Sequence, residues 1–199
     1  MRTQIMVVVG VLAFAGGAAA CTAFYGMQGD VVLAGNNEDF FNPRTKVWFI
    51  PAQEGTYGRV YFGFDNFVPQ GGMNERGLFW DGFATAPRKV TRGVNKPKYL
   101  GNLNDKVMAE CATVEEVLAV FDRYFLSNME GHQLMFGDAK GDSVIIEGDV
   151  IVRKKGPGKE LSSPALATRP LATLCTGPCQ LASFNAIVEL SIDFRHTLP

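Results

Sequence analysis

Apolar and polar positions along the chain fall into short blocks, and most of these have the length and period of β-strands. Thr22-Ala23-Phe24-Tyr25 and Val31-Val32-Leu33-Ala34-Gly35 flank the polar turn Gly26-Met27-Gln28-Gly29-Asp30, which predicts a hairpin. Val47 to Pro51, Arg59 to Phe64, and the apolar run after the glycine-bounded turn Gly71 to Gly77 predict the next strands. Asn74 in that turn is read as a structural turn residue. Gln133 to Asp138 and Ser143 to Gly148 predict a second hairpin about a turn at Ala139 to Asp142, and Val150 to Val152 opens a further strand. One region has helical period. Asn104 to Phe125 carries capping-box spacing at Thr113 and Glu116, and Val117, Leu118, Phe121 and Phe125 form one apolar face. Pro87 to Pro97, with Arg88, Lys89, Arg92 and Lys96, reads as an exposed basic connection. Beyond Lys154 the pattern weakens. Residues 160–180 are rich in Ser, Thr, Ala and Pro with little period of either kind, and Ile187 to Phe194 recovers some apolar content.

The first twenty residues have a different pattern. Arg2, the apolar run Ile5 to Ala15 and the small residues Ala18-x-Ala20 read as a cleavable export signal over 1–20. The run is shorter than the roughly 20 residues a membrane span needs. The mature chain is expected to be one domain, 21–199, secreted or periplasmic. At 199 residues with 47% hydrophobic content, the chain is long enough for one sizeable core. Net charge is −1 and no long basic run is present, so nucleic acid is not an expected partner. Fifteen Phe and 22 Gly suit sheets with tight turns and aromatic packing.

Cleavage after Ala20 would make Cys21 the first residue, putting a thiol nucleophile and a primary amine on one residue. The other cysteines are Cys111, Cys175 and Cys179, the last two close enough in sequence to pair after export. His132 and His196 are the only histidines, and with no CxxC pair or His cluster neither zinc nor any other metal or cofactor is expected. The second strand of the first hairpin runs into Asn36-Asn37-Glu38-Asp39-Phe40, polar residues that are poor strand formers. An Asx turn with solvated side chains would account for them. The hairpin also brings this end beside the start of the first strand, within reach of Cys21.

Cys21-Thr22-Ala23-Phe24, Gly35 to Phe40, Gly72 to Leu78, and Gly137-Asp138-Ala139 followed by Ser143 to Glu147 together resemble the choloylglycine hydrolase and penicillin V acylase group and its wider linear amide hydrolase relatives. The resemblance covers residues 21–150. It implies an α+β N-terminal nucleophile hydrolase fold, an αββα sandwich of two antiparallel sheets between helical layers. It further implies an enzyme that cleaves a linear carbon–nitrogen amide bond through an acyl-enzyme, acting on a small-molecule amide. Cys21 would be the nucleophile, with its own amine as proton acceptor. Asp39 would orient the amine and thiol, and Asn36 and Asn37 complete the polar set. A backbone N–H around Gly82 to Ala84 would serve the oxyanion hole.

Two departures accompany the resemblance. Asn36 stands where bile-salt and penicillin V enzymes carry an arginine. The stretch Gly158 to Pro164 has no asparagine where the group keeps an oxyanion donor, a loss typically worth about 10²–10³ in rate. Relatives also run longer, so a C-terminally incomplete domain is expected. A non-catalytic amide-binding relative, and a lipoprotein anchored to a membrane through lipid on Cys21, are the alternatives. A homo-oligomer is left open.

Overall fold

In the computed structural model, the described residues are 21–38, 40–126, 129–156, 161–164 and 187–190. The expected export signal, Cys175, Cys179 and His196 lie outside them. Among the described residues the strands form two antiparallel sheets, and no helix is long and apolar enough to cross a membrane.

The smaller sheet is built on the expected hairpin, β1 (Thr22–Gln28) and β2 (Val31–Asn37). Gly29 takes φ 60° in the turn between them, a left-handed backbone that glycine adopts without steric cost. The two-residue turn fixes the register, with Thr22 opposite Asn37, Ala23 opposite Asn36 and Tyr25 opposite Ala34. The region beyond Lys154, which has little pattern of its own, nevertheless supplies both outer strands. β10 (Leu161–Pro164) pairs with β1, and β11 (Ile187–Leu190) pairs with β2. Four-residue strands are too short to show a period, and backbone pairing to the preformed hairpin makes them strands.

The larger sheet runs in sequence order. Its strands are β3 (Thr45–Ile50), β4 (Arg59–Phe64), β5 (Pro69–Asn74), β6 (Phe79–Ala84), β7 (His132–Gly137), β8 (Ser143–Glu147) and β9 (Val150–Lys154). Between β6 and β7 the chain forms α1 (Leu103–Glu110) and α2 (Val114–Phe121). The single helical region expected over Asn104 to Phe125 is thus two helices. Cys111 and Thr113 are both extended, and Thr113 starts the second helix with a complete capping box to Glu116. Asn74 proves structural, as read. Its Nδ2 donates to the carbonyls of Met108 and Cys111 at 2.9 and 2.8 Å, and its Oδ1 accepts from the amides of Arg76 and Leu78.

Alternation on the strands produces two cores. Leu78, Trp80, Phe136, Val144 and Ile146 meet the helical residues Val107, Met108, Val117 and Phe121 on one face of the large sheet. On the other face Val60, Phe62, Met73, Phe79, Phe83 and Met135 meet Ala23, Tyr25 and Ala34 of the hairpin. Helices and two sheets are thereby in contact, and a helical layer beyond the small sheet is not among the described elements. The docking point is specific. The Tyr25 ring lies over Gly137, where an added Cβ would stand 2.2 Å from the ring, and its hydroxyl donates to the Asp138 carbonyl. Burial holds that phenol well above its usual range, so it stays a donor. Asp138 in turn accepts from the Val114 amide at the start of α2 at 2.9 Å. One residue therefore ties hairpin, large sheet and helix.

Gly137→Ala is expected to destabilise the protein by about 2–3 kcal/mol through overpacking against Tyr25, whereas Tyr25→Phe costs about 1 kcal/mol by removing one hydrogen bond. Urea unfolding measures both, and equal costs would show that the close approach is not the constraint.

Candidate active site

The hairpin register carries Cys21 to the edge of the inter-sheet core. Side chains alternate along β1, so Cys21 shares a face with Ala23 and Tyr25, the face that packs on the large sheet. Across the ladder, Asn36 lies on that same face and is buried. Glu38, two residues further on, follows it. The Cys21 Sγ donates to Glu38 Oε2 at 3.3 Å, and Asn36 Nδ2 donates to Glu38 Oε1 at 3.0 Å. The polar end of β2 thus closes on the thiol instead of dissolving into a solvated turn.

The large sheet adds a residue from the opposite side. Phe79, Asp81 and Phe83 alternate on the face of β6 that meets the hairpin, so an acid sits in a row of phenylalanines. Asp81 is 0% exposed. Its Oδ1 accepts the Gly82 amide at 2.8 Å, and its Oδ2 meets no donor among the described residues. The carboxyl within its hydrogen-bonding reach is that of Glu38. Burial first, then the Glu38 charge, holds Asp81 well above the ordinary carboxylate range. Burial also pushes Glu38 up, while hydrogen bonds from Cys21 and Asn36 and contact with Asp81 pull it back. Of the two carboxyls, Asp81 is the one that holds its proton to the higher pH.

Of the residues singled out in the sequence, Cys21 and Asn36 are brought together through Glu38. Asn37 is partly buried opposite Thr22, and Asp39 lies outside the described residues. The Gly82 amide is engaged by Asp81, and Ala84 ends β6 exposed, opposite His132. His132 is itself exposed, with Nδ1 on the Glu130 carbonyl at 3.2 Å. Cys111 is buried in the helical core, where burial pushes its thiol up to about 11, the behaviour of a packing residue. Among the described residues no group of three or more His, Cys, Asp or Glu is placed to hold a metal.

Glu38 and Asp81 are the two site residues the sequence reading passed over. A signal existed for each. The hairpin register extended by one position sets Glu38 opposite Cys21, and Asp81 is the one acid in the apolar run Leu78 to Phe83.

No protein-family model and no curated protein matches the sequence. Solved structures do match. Penicillin V acylase from Agrobacterium tumefaciens superposes with a TM-score of 0.50 at 21% identity, over 73% of this chain and 49% of that one. Two variants of conjugated bile acid hydrolase from Clostridium perfringens give a TM-score of 0.50 at 22% and 23% identity, over 67% of this chain and 50% of theirs.

The buried acid makes stability depend on pH with a definite sign. Asp81 ionises at a higher pH in the folded than in the unfolded state, so the unfolded chain releases its proton first and stability falls as pH rises above about 4. Asp81→Asn is expected to be more stable than wild type at pH 7, with the difference vanishing as pH falls to about 4. A difference constant from pH 4 to 7 in thermal or urea unfolding would mean that Asp81 is ionised in the fold.

Over about half the length of the solved structures it matches, the chain shares the fold of penicillin V acylase and conjugated bile acid hydrolase.

Proposed function

We propose that the protein is an exported cysteine amidohydrolase that cleaves a linear carbon–nitrogen amide bond through an acyl-enzyme on Cys21. The observation that carries this reading is the Cys21 thiol at the head of β1, hydrogen-bonded to a carboxyl delivered by the end of β2. A buried structural cysteine would sit among apolar side chains, as Cys111 does. The reading is supported by the shared fold with two amide hydrolases and by the sequence motifs around Cys21, Gly35 to Phe40 and Gly72 to Leu78.

Removal of residues 1–20 would expose Cys21 as an N-terminal residue, carrying amine and thiol together, and would place the protein outside the cytoplasm. On this reading Asn37 belongs to the polar set that serves that terminus, Asp39 has the orienting role the resemblance implies, and the fold is an αββα sandwich that is C-terminally incomplete. Phe40 is 44% exposed and Phe41 91% exposed, immediately after the polar set. Exposed rings that follow the polar set in the chain favour an amide with an apolar acyl group. Phe79 and Trp80, by contrast, are buried core residues.

The mature protein beginning at Cys21 is expected to hydrolyse at least one member of a panel of N-acyl amides that includes penicillin V and a conjugated bile acid. Cys21→Ala is expected to lower that rate by about 10³-fold or more. Product amine, quantified by liquid chromatography, reports both. An equal rate in Cys21→Ala would overturn the reading, and a diacylglycerol mass on Cys21 would replace it with a lipoprotein.

A further inference from the structure

Two carboxyls meet beside the thiol, two acceptors facing one another. Asp81 Oδ2 is completely buried and lacks a donor among the described residues, and the Asp81 carboxyl comes within hydrogen-bonding reach of Glu38 from the face of β6 that carries Phe79 and Phe83. Two carboxylates in contact in an apolar interface repel and are poorly solvated, so the contact requires a proton between them. The hydrogen bonds decide where the remaining charge lies. Glu38 accepts from Cys21 Sγ and from Asn36 Nδ2, two donors that favour its ionised form. Among the described residues Asp81 accepts only the Gly82 amide, leaving Oδ2 to carry the proton.

We infer that Cys21, Glu38 and Asp81 form a proton relay in which Asp81 is a neutral donor, Glu38 is the charged acceptor, and Glu38 takes the thiol proton when the sulfur attacks. This rests on the amidohydrolase reading and assigns its base. The Glu38 carboxylate removes the proton from Sγ–H, and the sulfur electron pair forms the C–S bond to the amide carbonyl carbon. Collapse breaks the C–N bond, and the leaving nitrogen takes the proton from Glu38. Water then attacks the thioester and gives a proton to Glu38. A C–O bond forms, the C–S bond breaks, and the thiolate recovers that proton from Glu38. The sum is amide plus water to acid plus amine. Removal of residues 1–20 would add an ammonium on Cys21 itself, which the adjacent carboxylate keeps protonated. The terminal amine then serves as the cation beside the thiolate, where Asn36 offers none. Glu38 touches the reacting sulfur and is catalytic, whereas Asp81 acts through Glu38 and is a positioning residue.

Among the described residues the groups Glu38 meets are the Cys21 thiol from β1, Asn36 from β2 and Asp81 from β6, so substitution at each has a distinct consequence. The test uses the mature protein and its Glu38→Gln, Asp81→Asn and Asp81→Ala variants. Iodoacetamide alkylation of Cys21 is followed against pH, and kcat and KM are measured for the amide of the panel turned over fastest. Removing the Glu38 charge makes the thiol more acidic, so Glu38→Gln moves the alkylation profile down by about one pH unit. It also lowers kcat about 10²-fold or more with KM little changed, because the base is gone. Asp81→Asn, an isosteric donor, keeps the wild-type alkylation midpoint, and it recovers most of the kcat lost in Asp81→Ala.

An Asp81→Asn midpoint displaced as far as that of Glu38→Gln would overturn the inference, because Asp81 would then be the ionised partner. So would a Glu38→Gln variant with wild-type kcat. Either result leaves the Cys21→Ala comparison intact, and so separates failure of the relay from failure of the amidohydrolase reading. Should no panel amide be turned over, the alkylation midpoints alone decide.

Discussion

The contact between the Tyr25 ring and Gly137 sets where everything else can stand. A ring cannot lie over a strand backbone at that distance if the strand carries a side chain there, and the phenol then reaches the Asp138 carbonyl. The hairpin is thereby fixed against the large sheet in both position and register. Because side chains alternate along β1 and β2, fixing Tyr25 inward also fixes Cys21, Ala23 and Asn36 inward. Because they alternate along β6, Phe79, Asp81 and Phe83 meet them from the other side. A one-residue slip in either pairing would turn Asn36 outward and separate the thiol from its carboxyl.

That geometry places an acid in a row of phenylalanines on the buried face of β6. The interface of Met73, Phe79, Phe83 and Met135 against Ala23 and Ala34 would pack as well around a leucine at position 81, without an orphaned oxygen. A buried carboxyl is stabilising only when its charge or its proton is used. Here it faces a second carboxyl that holds a thiol, so the cost of burial falls where chemistry can draw on it. The ordinary structural acids behave differently. Asp105 joins Arg59 at 2.9 Å and Tyr61, and Asp142 joins Arg153 at 2.7 Å, each with a cation in place.

Much of this was legible in the chain. The hairpin could be read because the stretch Gly26 to Asp30 separates two apolar blocks, although β1 runs on to Gln28 and the turn is only Gly29 and Asp30, and α2 because Thr113 and Glu116 have the spacing of a capping box. Helix separation was harder to see. Cys111 and Ala112 do not break an apolar period, and only the cap at Thr113 shows that a new helix begins. The outer strands Leu161–Pro164 and Ile187–Leu190 were not legible because four residues are too few to show a period, and backbone pairing to β1 and β2 makes them strands. At the site, the family resemblance drew attention to Asn36 and Asp39 and away from Glu38 between them. Pairing arithmetic on the hairpin would have selected Glu38, since it follows Asn37 on the ladder and so faces Cys21. Asp81 depends on the contact between two sheets, which no local pattern encodes.

The proposed chemistry turns on a covalent step at one sulfur. Mature protein mixed with p-nitrophenyl phenylacetate and quenched in acid should yield an N-terminal peptide in which Cys21 carries the phenylacetyl mass, labile to hydroxylamine as a thioester is. This adduct should form within the first turnover and be discharged by water. A peptide of unchanged mass while the ester is consumed, or an acyl group carried stably on another residue, would contradict it.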